Sequence, residues 1–199
     1  ITDPKEVPAY GASWLHAWSL KALYDPRDEI FVRLTIKTLV VMVPIVLALV
    51  ARFHWVLAAA YLAAWVWLLP QVILMLHNTM HRPFMRRPRA LSHAHPYAMS
   101  FLFGIPTGYM EHHVGMHHVE NNLPPDLSST MRYQRDNFFH FLHYFGKFFF
   151  GSIVELPAYL NKKKRGMLAR RALISALVHW AVIAPGGCGR PAPSCWERR

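Results

Sequence analysis

Two short segments gather histidines at a spacing that can do chemistry. HNTMH, residues 77–81, sets His77 and His81 four apart, and EHHVGMHHVENN, residues 111–122, holds His112, His113, His117 and His118. On a helix, residues i and i+4 share a face, so His77 with His81, and His113 with His117, can each present two imidazoles to one metal ion. Neutral imidazole suits zinc, copper, nickel and iron alike, so the rings by themselves do not choose the metal. HNTMH carries Asn78 where a zinc-protease helix carries its catalytic glutamate, which argues against metal-assisted proteolysis. Five or more candidate nitrogens over-supply a single zinc ion, whereas two iron ions can share them, and oxygen activation is chemistry that iron performs. Cys188 and Cys195, close to the end of the chain, suggest neither a disulfide framework nor thiolate ligands, leaving nitrogen and oxygen donors.

The elements that must position these segments are apolar. Hydrophobic residues make up 53% of the 199 and charged residues 17%, a balance that points to a bilayer. Lys and Arg outnumber Asp and Glu by 22 to 11, which suits the anionic face of a membrane better than nucleic acid when the charges flank long apolar runs. Residues 30–50 can span if Arg33 and Lys37 reach the headgroups, with Pro44 tolerated inside the helix. Residues 56–76 run for 21 positions without a charge, enough at about 1.5 Å per residue to cross a core of about 30 Å. Residues 51–55 join the two as a tight connection, so the chain returns to its starting side and HNTMH emerges there. Arg82, Arg86, Arg87 and Arg89 follow at once, against Arg52 alone in the connection, and the positive-inside tendency puts both histidine segments on the cytosolic side or its plastid equivalent.

The remaining segments read as membrane-surface elements. Ser13 to Leu23, with Trp14 and Trp18 and the nearby Tyr10 and Tyr24, reads as an interfacial helix, and residues 98–110, broken by Gly104, Pro106 and Gly108, as a dipping segment. A helix start is expected at Ser128 or Ser129, and residues 138–150 form an aromatic amphipathic face whose His140 and His143 are interfacial polar groups rather than ligands. His16, His54 and His179 read as ordinary satisfied histidines. Lys162 to Arg165, with Arg170 and Arg171, reads as a surface anchor before an apolar run at 172–184 that is too short to span. The chain divides into an N-terminal interfacial segment (1–29), a membrane domain (30–184) and an atypical tail (185–199). Beginning at Ile1, it reads as a fragment or a processed form.

HNTMH at the end of an apolar helix, followed about thirty residues later by HHVGMHHVENN, resembles boxes one and two of the membrane fatty acid desaturases, especially the acyl-lipid type. The resemblance implies an all-α integral membrane protein. It implies two non-haem iron ions held by histidine boxes, with dioxygen as co-substrate and a double bond introduced into an acyl chain. By position, His77 and His81 match box one, and His113, His117 and His118 match box two. His112 is a neighbour, and Asn78, Glu120 and Asn121 are candidates for holding the rings in place. The implied partners are an acyl lipid or acyl-CoA, cytochrome b5 or ferredoxin as electron donor, and membrane lipids, with no nucleic acid. The implied location is the endoplasmic reticulum or a plastid membrane, with the boxes facing cytosol or stroma.

The family's third box has no counterpart here, so the 199-residue chain is expected to be inactive alone. Two alternatives stand beside the desaturase reading. One is a related di-iron hydroxylase or ketolase acting on a carotenoid, sterol or alkane, and the other a non-catalytic histidine-rich membrane protein.

Overall fold

The computed structural model describes residues 13–105 and 108–187. Among them the chain is all-helical, without a β-strand. Helix α1 (Trp14–Ala22) starts where Ser13 accepts a hydrogen bond from the His16 N–H, satisfying one of the free donors of the first turn. This matches the helix expected over Ser13 to Leu23. Pro4, Pro8, Tyr10 and Pro106 lie outside the described residues, as do Cys188, Cys195 and the rest of 188–199.

Helices α2 (Glu29–Ala51) and α3 (Trp55–His81) are joined by only three residues, with His54 capping α3 by accepting the Val56 N–H. The pair runs antiparallel. Thr35 meets Met75, Lys37 reaches Gln71, and Arg82 donates both guanidinium arms to Asp28 at the open end. Leu23 pairs with Met85 in an isolated bridge at the same end. Both helices are long and apolar enough to cross a membrane. Their outward faces are apolar too: Val40, Leu47, Leu62 and Val66 are each at least 60% exposed, unlike the core helices of a water-soluble domain. Arg33, expected to reach for headgroups, is instead ion-paired at 2.6 Å with buried Glu29, which also binds His16.

Helix α4 (Arg89–Leu102) lies against this pair. Met99, Leu102 and Phe103 join Met42, Leu68, Val72, Met75 and Leu76 in the main core. Tyr61 and Trp65 donate side-chain hydrogen bonds to the carbonyls of Leu102 and Phe103, tying the end of α4 to α3. Gly104 then turns the chain at φ +71°, a left-handed conformation that glycine adopts without a Cβ penalty.

Helix α5 (residues 109–120) is α-helical over Tyr109–His112, widens to a π-helical turn over His113–His117 and ends at His118–Glu120, with Asn121 left-handed after it. Residues 121–137 are turns. The helix start expected at Ser128 or Ser129 is not there, because Ser128 is committed to Asp126, and Ser129 donates to the Asn122 carbonyl. Helix α6 begins instead at Phe138, capped by Asn137, whose side chain accepts from Phe139 and His140. It continues through a π-helical turn at Lys147–Gly151 to Lys162. Helix α7 (Gly166–Gly187) absorbs the apolar run 172–184 into 22 helical residues, so no break in the helix appears at 185. Helices α6 and α7 pack on α5 through Met116, Leu156, Leu160, Ala169 and Ala172.

Candidate metal centre

The fold brings the two histidine segments together. His77 and His81 stand on the last turns of α3, and their rings lie 4.7 Å apart, as one helical face requires. From α5, His113 and His118 meet them. Every pairing among His77, His81, His113 and His118 has ring centroids between 4.4 and 6.2 Å. Ligand nitrogens of His77, His81 and His113 lie within 4.8 Å of one another. His118 Nε2 is 3.0 Å from His113 Nε2.

The π-helical turn explains which rings face inward. On a regular helix His113 would align with His117 and face away from His118, but the wider turn narrows the offset between residues five apart and brings His118 close to His113. His117 flanks the group, 5.7 Å from His113 and 5.6 Å from His118. Its Nδ1 lies 2.7 Å from Asp126 Oδ2 and 3.2 Å from Ser128 Oγ. His112 lies behind His117 in a parallel stack at 6.4 Å and against Phe148, with its Nε2 buried and without a partner.

Burial and mutual repulsion disfavour the charged form of His112, His113 and His118. Burial, reinforced by repulsion from His118, His77, His117 and His81, pushes His113 down to about 3. Burial likewise pushes His112 down to about 4 and lowers His118. Neutral imidazoles with free lone pairs are what a divalent ion needs. Two nitrogens bound to one ion at about 2.1 Å stand about 3 Å apart when adjacent around it, close to the His113 to His118 separation. The donor set therefore fits a first-row transition metal.

Two of the three residues expected to hold the rings in place have other partners. Asn78 donates to the Leu74 carbonyl of its own helix. Glu120 accepts from the Tyr159 hydroxyl and pairs with Lys163 at 2.7 Å, joining α5 to α6. Asn121 supplies a left-handed turn. Among the described residues, the carboxylate that does reach a ring of the histidine segments is Asp126, which the sequence reading missed. It sits nine residues after His117 beyond two prolines, and no helical periodicity links the two.

Histidines set aside as ordinary stay apart from the cluster: His16 binds Glu29, His179 is buried against Phe101, and His140 accepts the Gln134 N–H. A cavity of about 1120 Å³ borders His81, with Phe101, Met110, Ile174 and Val178 among its apolar walls and Arg89 and Arg171 also lining it.

Arg165 supports the π-helical turn from α7's side, donating to the Gly115 carbonyl at 2.7 Å. A Cβ on Gly115 would stand 3.4 Å from Leu168, so the two elements are closely seated at that point. Comparison of the chain with protein-family models, with curated proteins and with solved structures found no match.

Proposed function

We propose that this chain carries the metal centre of a membrane-bound, histidine-box oxidoreductase acting on an acyl chain, with desaturation as the reaction. The observation that carries the reading is the convergence of four rings from two separate helices, His77 and His81 with His113 and His118. Iron held there would supply oxygen-dependent removal of hydrogen from an unactivated carbon, which amino-acid side chains cannot do. The chain's own part is to hold the imidazoles converging and to offer beside His81 a cavity walled by both apolar side chains and arginines. In this reading α2 and α3 form a membrane hairpin, and the histidines sit at its open end with the basic residues after His81, facing cytosol or stroma. Cytochrome b5 or ferredoxin would deliver electrons from that side.

The test is lipid analysis of membranes from cells expressing the chain, alone and with a cytochrome b5 or ferredoxin system. Acyl chains lacking two hydrogens support desaturation and overturn the expectation that the chain is inactive alone. Gain of oxygen would favour the hydroxylase or ketolase reading on the same ligands.

A second reading has an observation of its own. Four imidazoles in mutual contact can close around one ion as a four-coordinate structural site, leaving no position for oxygen. That arrangement belongs to a non-catalytic metal-binding membrane protein. One tightly bound, four-coordinate metal ion per chain would favour it.

A further inference from the structure

Asp126 is 1% exposed, and its carboxylate is met by the Ser128 N–H and hydroxyl, the Asn122 N–H and the His117 ring. Oδ1 accepts from the Ser128 N–H at 2.9 Å and from the Ser128 hydroxyl at 2.7 Å. Oδ2 accepts from the Asn122 N–H at 3.1 Å and faces His117 Nδ1 at 2.7 Å. The Ser128 hydroxyl has given its proton to Oδ1, so toward His117 it too offers only a lone pair. Two acceptors therefore face Nδ1, so a proton on that nitrogen is the one the surroundings satisfy. Nε2 is left bare.

We propose that Asp126 is a positioning residue for His117, fixing its Nδ1–H tautomer and turning Nε2 outward as a metal ligand beside the four-ring cluster. This rests on the reading of the histidines as metal ligands. The arrangement is the carboxylate–histidine–metal relay, in which the outer group fixes both the tautomer and the orientation of the ring. Asp126 can fill the role because its backbone donors immobilise it from both sides. An asparagine could not replace it: one backbone N–H faces each oxygen, so either orientation of the amide sets its NH2 against an N–H. The orientation that keeps Ser128 satisfied turns that NH2 toward Nδ1, forcing the proton onto Nε2 and blocking the ligand.

The test uses the full chain in detergent micelles, titrated with Co2+ and followed by visible absorption, with circular dichroism reporting the fold. Asp126→Asn is expected to weaken Co2+ binding by about 10- to 100-fold. Combined with His117→Ala, it is expected to cost nothing beyond His117→Ala alone. Independent of any variant, imidazole 15N shifts of the metal-free wild-type chain are expected to show His117 as the Nδ1–H form. Wild-type affinity in Asp126→Asn, an equal loss with and without His117, or an Nε2–H form of His117 would each overturn the proposal. A wild-type chain that binds no Co2+ would overturn the metal reading itself, and this proposal with it.

Discussion

His118 Nε2 lies 3.0 Å from His113 Nε2, although the two residues are five apart in the chain. A regular α-helix would turn them to different sides, and the π-helical turn over His113–His117 narrows that offset. The candidate centre thus depends on a local departure from α-helical geometry, held by Arg165 donating to the Gly115 carbonyl.

Replacing Arg165 by Ala removes a charge-assisted hydrogen bond from the turn that sets the ring positions. The expected cost is about 1 to 2 kcal/mol of stability, together with weaker metal binding, although Arg165 is no candidate ligand. Thermal melts and metal titration of Arg165→Ala check both. Unchanged metal affinity would mean the π-helical turn needs no support from α7.

Acid sensitivity is expected from His95. The Thr35 hydroxyl donates to the Phe31 carbonyl, so toward His95 it is an acceptor, receiving the Nε2–H at 2.9 Å. Nδ1 is buried without a partner, and burial pushes His95 down to about 4. The folded state resists a proton that the unfolded chain takes up near its ordinary value of about 6.5, so stability is full above that pH and falls as pH drops toward 4. At pH 5 the loss is about 2 kcal/mol. Unfolding of wild-type and His95→Gln chains between pH 7 and pH 4.5 checks this, with the variant showing a shallower decline.

The proposed membrane hairpin of α2 and α3 makes a prediction about sidedness. Phe53 lies in the three-residue connection, and Arg86 follows the open end where Arg82 meets Asp28. In sealed vesicles, Phe53→Cys and Arg86→Cys are expected to react with an impermeant thiol reagent from opposite sides, with Cys188 and Cys195 replaced by Ser as the background. Labelling of both from one side would contradict the hairpin.

Much of this scaffold was legible in the sequence because it depends on local signals. Uncharged apolar length marked α2 and α3, and four-residue spacing put His77 and His81 on one face. The partner of His113 was not legible, since a fixed α-helical period points to His117, and nothing in HHVGMHH announces a wider turn. Asp126 escaped for a related reason: its tie to His117 is made by a turn that folds back over two prolines. Ser128 looked like a helix cap because serine there usually is one, yet its hydroxyl is spent on Asp126. Asn78 and Glu120 looked like supports for the rings by proximity in sequence, but a helix aims neighbouring side chains apart, and theirs meet Leu74, Tyr159 and Lys163.

The most direct measurement is the iron content of the purified 199-residue chain after anaerobic loading with Fe2+ and removal of loose ions. Wild type would be compared with single variants at His81, His118, His140 and His143. The account predicts iron retained by wild type and by His140→Ala and His143→Ala, and lost from His81→Ala and His118→Ala while helix content is preserved. A wild-type chain that keeps no iron, or a His81→Ala chain that keeps as much as His140→Ala, would contradict it.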